Sequence, residues 1–267
     1  MPSELLIELV GEKEVSLPRF TGYISRALFL HMMRAVDPGE AAELHESDVM
    51  KPYSVTQLMF KARLRSPSGY VLDPSYPCRV GFRFLSDKQF QKFMSFFSKK
   101  NAVLISEVRF KIASMILKSI EYEELLKSEP VKNFRLIFRT PTYLSSMGSR
   151  YESLFPEPLQ IFSNLMRIWD SFSDSRVFGE EGLEAYKYWI KNHMGVSAYV
   201  LRTGLAEMGK KKAIGFTGWV EYEMDEQEEW NKVTLALAKF AEYSNIGGNR
   251  TGGFGEVRFY SSSIEKR

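Results

Sequence analysis

The chain has one cysteine, three histidines, no long apolar run and almost no excess of either charge. With Cys78 alone, no disulfide can form within it, and a reducing compartment such as the cytoplasm is the expected setting. His31, His45 and His193 do not have the spacing of a zinc site, so neither a metal nor another cofactor is expected. No window approaches the ~18 apolar residues of a membrane span. Met1-Pro2-Ser3-Glu4 also lacks the basic start of an export signal, so a cytoplasmic protein with no membrane segment is the expectation. Lys and Arg number 36 against 33 Asp and Glu, a net charge of +3 that permits a nucleic-acid partner without arguing for one.

What is present describes an ordinary globular chain. Hydrophobic residues make up 44% and charged residues 26%, far from the composition of disorder. At 267 residues the chain suits two domains, each of about 100–150 residues. Residues 4–10 have the pattern of a strand, and Ile24, Leu28, His31 and Ala35 recur at helical spacing along one face of a helix over 19–35. Asp37-Pro38-Gly39-Glu40 predicts a short helix to about His45, with Asp as cap, Pro in the first position and Glu completing a capping box. Extended segments follow at 53–65 and 79–85, then a helix from Ser86 with Phe90, Phe93, Met94 and Phe97 on one face, then a strand over 103–120.

That order, strand-helix-strand-strand-helix-strand, predicts an α+β ferredoxin-like (RRM-like) domain. It recurs with a strand at 132–138, helices at 159–172 and 182–192, strands at 196–207 and 213–222, a helix at 225–243 and a strand at 256–260. The expected architecture is therefore two tandem ferredoxin-like βαββαβ domains, 1–127 and 128–267, joined near Ser128-Glu129-Pro130, with a cleft between their sheets.

The most specific local signal is Asn245-Ile246-Gly247-Gly248-Asn249-Arg250-Thr251-Gly252-Gly253-Phe254-Gly255, with five glycines in eleven residues. Such a loop adopts positive φ freely, and its successive N–H groups can cradle a phosphate. It lacks the Gly-Lys-Ser/Thr of a Walker loop and precedes a strand instead of opening a helix, which excludes a dinucleotide fingerprint. Basic clusters lie at Lys61-Ala62-Arg63-Leu64-Arg65, Lys99-Lys100 and Lys210-Lys211-Lys212, and each taken alone suits a solvated face as well as a nucleic acid.

A glycine-rich loop before the last strand of a second ferredoxin-like domain resembles the repeat-associated CRISPR proteins, and its spacing resembles the sixth Cas family of endoribonucleases. That family's Gly-apolar-Gly, five residues, Gly-apolar-Gly pattern is matched at Gly247, Gly253, Phe254 and Gly255, and Asn245 departs from it in a way asparagine's tolerance of left-handed backbone permits. Asp37-Pro38 through Leu44-His45 and Lys51-Pro52-Tyr53-Ser54, Arg139-Thr140-Pro141-Thr142, and Gly215-Phe216-Thr217-Gly218-Trp219-Val220 resemble further blocks of the same family.

The resemblance implies cleavage of precursor CRISPR RNA within its repeats, without a metal ion, by attack of a 2′-hydroxyl on the adjacent phosphate. It places His45 on the family's catalytic histidine and Lys51 on its catalytic lysine, with His31 as the second candidate and Tyr23 and Tyr53 as fallbacks. A histidine at a helix end also serves to cap the dipole, and one on an apolar helical face is commonly a core residue, so His31 and His45 each carry a structural alternative. His193 reads as structural. For RNA grip, Arg139 and the loop residues Gly247, Gly248, Arg250, Gly253 and Gly255 are the expected contacts, and Gly253→Asp is expected to weaken binding. The implied partner is a CRISPR repeat RNA, with membership of an effector complex and a homodimer left open. The competing reading is a non-catalytic RNA-binding scaffold of the same superfamily, and an unrelated two-domain binding module is a third that leaves the glycine loop unexplained.

Overall fold

The computed structural model describes residues 1–45, 50–145, 148–173, 180–208, 211–225 and 228–261. The N-terminal half runs β1 (Ser3–Gly11), β2 (Val15–Leu17), α1 (Gly22–Val36), α2 (Pro38–Glu43), β3 (Tyr53–Val55), β4 (Ala62–Ser66), β5 (Gly69–Leu72), β6 (Cys78–Phe84), α3 (Asp87–Met94), β7 (Ala102–Ile105) and β8 (Val108–Ser119). After α4 (Tyr122–Leu125) the C-terminal half runs β9 (Asn133–Thr142), a small hairpin of β10 (Leu144–Ser145) and β11 (Glu152–Ser153), α5 (Pro158–Phe172), α6 (Glu180–His193), β12 (Met194–Met208), β13 (Lys211–Met224), α7 (Glu228–Ser244) and β14 (Val257–Ser261). Among the described residues, no helix is long and apolar enough to cross a membrane.

Both main sheets are antiparallel and share one topology. Four strands of the first line up β3-β6-β1-β8, with β7 added at the edge, and the second lines up β12-β13-β9-β14. Counted within each half, that is the second, third, first and fourth strand of a βαββαβ unit, so the chain is two tandem ferredoxin-like domains. Alternation drives each sheet onto its helices. In β9, Phe134, Leu136 and Phe138 are buried while Arg139 is exposed. In the first half, Phe29 of α1 stacks on Tyr53 at 3.9 Å and on Phe93 at 5.2 Å, fastening α1 to α3 and the sheet. Tyr122 and Leu125 of α4 already pack into the C-terminal core, so the chain crosses between cores ahead of Ser128-Glu129-Pro130.

Two expected strands are differently built. The segment 53–65 breaks after Val55, because β3 pairs with β6 for only three residues and β4 turns away into a separate three-stranded sheet ordered β2-β5-β4. The segment 103–120 is a hairpin of β7 and β8. Its turn residues Ser106 and Glu107 have φ of 46° and 66°, the left-handed pair that a two-residue hairpin requires. Neither residue type announces such a turn, which is why the sequence pattern reads as one strand.

The expected cleft between the two sheets is closed by a charged joint. Arg83 is fully buried, donating to Glu4 at 2.7 Å and to the Asn245 side-chain oxygen at 2.6 Å, with Glu256 at 3.7 Å. Ser54 donates to the Tyr243 carbonyl at 2.8 Å across the same joint. The open cleft of interest lies elsewhere, on the outer face of α1.

Candidate active site

Helix α1 buries Leu28, Phe29, Met32 and Met33 and turns Tyr23, Ala27, His31 and Arg34 to the other side. These four stand at i, i+4, i+8 and i+11, so they form one stripe of the helix. The stripe forms one wall of a cleft of about 600 Å³, whose further lining includes His45 beyond the end of α2 and Leu104, Ile105 and Ser106 of the β7–β8 hairpin. His31 is exposed in this cleft and not a core residue. Among the described residues lining it there is no carboxylate. Nor does any group of three or more His, Cys, Asp or Glu among the described residues offer a metal cage.

His45 owes its place to α2. Asp37 caps that helix by accepting from the Glu40 N–H at 3.0 Å, with Pro38 opening the first turn as expected. The other half of the capping box does not form. The Glu40 carboxylate instead shares Lys92 of α3 with Asp37, whose own contact to Lys92 is 2.8 Å. The backbone N–H of Glu40, and after it Lys92, holds the Asp37 carboxyl below the usual range, and the two carboxylates hold the Lys92 ammonium above its own. This latch sets the direction of α2, and the His45 N–H closes the last turn on the Ala42 carbonyl at 2.9 Å. Lys51 is not among the cleft's lining residues. Its ammonium donates to the Glu43 carbonyl at 3.0 Å, returning the chain to the end of α2. Tyr53, the other fallback, is a core residue with no exposure, and burial pushes its phenol up.

Comparison with solved structures places this architecture. A Thermus thermophilus Cas6 (TTHB231) in a product complex superposes with a TM-score of 0.80 at 22% identity, covering 97% of this chain and 100% of that one. A Cas6-related protein of Pyrococcus furiosus gives 0.64 at 11% identity, over 98% and 100% of the two chains. A RAMP protein described as binding different RNA substrates gives 0.61 at 13%, over 97% and 100%. Such identities speak for the fold. Curated protein sequences yield no match. Residues 136–257 match the family model of the CRISPR-associated endoribonuclease Cas6. Over that segment, just under half of its length, the chain is similar to the Cas6 family. The matched segment runs from β9 to β14 and includes the glycine loop, whereas His31 and His45 lie in the other domain.

Much of the loop's backbone is turned to the protein itself and not to a phosphate. The N–H groups of Ile246, Gly248, Gly252, Gly253, Phe254 and Gly255 all donate to protein carbonyls, among them Tyr143, Pro141 and Asn249. Its glycines answer to close packing instead. A Cβ on Gly255 would sit 1.8 Å from the Ile246 carbonyl oxygen, and one on Gly247 would sit 2.2 Å from that of Tyr143. Gly253, at φ +81°, would press on the Gly22 Cα at 2.9 Å, and Gly22 in turn faces the Gly252 carbonyl. The loop therefore forms the seat for the first turn of α1. Arg250 points inward too, donating to the Ser244 carbonyl at 2.8 Å and the Lys51 carbonyl at 3.2 Å. Asn245 takes φ 58°, and its side chain joins Arg83 to the Val55 and Phe254 carbonyls, bonds that a glycine there could not make.

Arg139 is exposed but carries an ion pair with Glu256 at 3.3 Å. Lys212 at the start of β13 pairs with Glu207 at 3.0 Å, and Lys210 lies outside the described residues. His193 pairs with Asp225 at 2.8 Å at the end of α6. The structure thus brings His31, His45 and Tyr23 to one cleft, and neither Lys51 nor the glycine loop is among its lining residues. Arg34 is the residue sequence reading passed over. Its signal was available, because a cation three positions after His31 on a helix shares that histidine's face.

Proposed function

We propose that this chain is a Cas6-family, metal-independent endoribonuclease that cuts precursor CRISPR RNA within its repeats. The observation that carries the reading is the meeting of His31, His45, Tyr23 and Arg34 around one open cleft, with no carboxylate among the described residues of its lining. Cleavage by an RNA's own 2′-hydroxyl needs three services. One imidazole takes the proton from the 2′-oxygen as that oxygen attacks the adjacent phosphorus. The other, as imidazolium, gives a proton to the departing 5′-oxygen as its bond to phosphorus breaks. The products are a 2′,3′-cyclic phosphate and a 5′-hydroxyl. An imidazole with a pKa of ~6.5 serves in either role near neutrality. Arg34, charged at every relevant pH, supplies the cation that faces the extra negative charge of the phosphorane. Lys51 acts by holding the end of α2, and so His45, through the Glu43 carbonyl.

The test is a repeat RNA incubated in excess chelator. One cut with a cyclic-phosphate end is expected, and a 2′-deoxy substitution at the cut removes the nucleophile and abolishes it. His31→Ala and His45→Ala should each slow single-turnover cleavage by about 10²–10⁴ with RNA affinity nearly unchanged. Lys51→Ala should reduce the rate through His45, with affinity nearly unchanged. Wild-type rates from both histidine variants would overturn this reading in favour of the scaffold.

A further inference from the structure

Beside the cleft lies a second one, of about 330 Å³, that meets it along His31 and Leu104. Its lining includes Lys99, Lys100, Asn101 and Arg109. We propose that this trough holds the phosphates of the single-stranded RNA segment on one side of the scissile bond, leading the strand past His31; the proposal rests on the ribonuclease reading above.

Three observations carry it. First, the charge is concentrated and open. Lys99, Lys100 and Arg109 are exposed, no carboxylate lines either cleft among the described residues, and with Arg34 next door the joined surface presents four cations in a chain whose net charge is +3. Neither lysine has an ion-pair partner among the described residues, and Arg109 has only Glu12 at 3.9 Å, with both side chains about half exposed. By contrast, Lys127, Lys132 and Lys187 each have a glutamate within 3.3 Å. A cationic surface left unneutralised is the footprint of a phosphate backbone.

Second, the trough is built. The turn after α3 is closed by the Lys99 and Lys100 N–H groups, both donating to the Phe96 carbonyl at 3.0 Å, which projects the two side chains from a fixed backbone beside buried Phe96. Arg109 comes from β8, whose pairing with β7 sets it opposite Leu104. Third, the clefts are continuous at the proposed chemistry. A strand lying in both must cross His31, and the side chain of Leu104, 60% exposed, stands at that crossing as an apolar support for a base. Adjoining clefts of about 600 and 330 Å³ suit a flexible single strand better than a rigid duplex.

The experiment measures binding of a repeat RNA bearing a 2′-deoxy residue at the cut, as a function of salt, to the wild type and to a Lys99→Ala/Lys100→Ala/Arg109→Ala variant. Each phosphate neutralised on a single strand contributes roughly 0.7 to the slope of log K against log salt, so the triple variant should lose about 2 from that slope. A variant with Lys127, Lys132 and Lys187 changed to alanine removes the same formal charge from paired sites and should keep the wild-type slope. RNAs shortened from either end should then abolish the difference between wild type and trough variant for one end only. Equal slopes for wild type and trough variant would overturn the trough while leaving cleavage by the wild type, and so the ribonuclease reading, intact. Binding that depends on the trough with no cleavage by the wild type would do the reverse.

Discussion

Asn245 and the glycines around it show how far one position's chemistry reaches. At φ 58° asparagine takes a conformation most residues avoid, and its amide then joins Arg83 of one domain to carbonyls of the loop. Gly253 has a stricter requirement, since any Cβ collides with the backbone of Gly22 where α1 begins. Gly253→Ala should therefore lower thermal stability and RNA affinity together, by about 1–3 kcal/mol of folding free energy. Gly253→Asp should do the same, with little added by its charge. A Gly253→Ala protein of wild-type stability, with only the aspartate variant impaired in RNA binding, would restore the phosphate-nest role. The loop's glycine pattern was legible in the sequence. Its job was not, because whether an N–H faces solvent or a carbonyl depends on segments distant in sequence, such as Tyr143 and Gly22.

At the scale of elements, α2 is short and relies on its latch. Lys92 holds Asp37 and Glu40, and with them the direction in which His45 leaves the helix. The Asp37 carboxyl is depressed from 3.8, so its contribution is complete above that pH and is lost as pH falls through the lower folded value. The Lys92 ammonium is raised from 10.5, so its contribution is complete below that pH and is lost only at higher alkalinity. Between these limits the latch does not titrate. Lys92→Met should therefore lower the cleavage rate without changing the shape of its pH profile between those limits. A changed profile in the Lys92→Met enzyme would show that the latch itself titrates there. The hairpin of β7 and β8 makes a complementary point. The sequence pattern over 103–120 reads as one strand, because Ser106-Glu107 hid the turn, and with it the wall that faces α1.

At the scale of the whole molecule, the joint between domains concentrates charge where water is excluded. Arg83 has no exposure, and Glu4 and Glu256 are nearly as buried. Removing the arginine strands Glu4, while Glu256 keeps Arg139 at 3.3 Å, and breaking a buried pair in this way costs about 3–5 kcal/mol. Arg83→Met should accordingly destabilise by that amount in urea. A double Arg83→Met/Glu4→Leu variant should recover part of the loss, whereas equal stability of Arg83→Met and wild type would show that water reaches the joint. The sequence by itself determined the order of elements, the division into two like units and the presence of a glycine-rich loop, because these follow from local periodicity and from backbone conformations few residues adopt. Only the tertiary structure decided which side chains meet. The side chain of Arg250 turned inward to the carbonyl of Lys51, 199 positions away, and His31 and Arg34 came out on the same cleft as His45. Those outcomes depend on register, helix direction and the packing of distant segments, which no local pattern encodes.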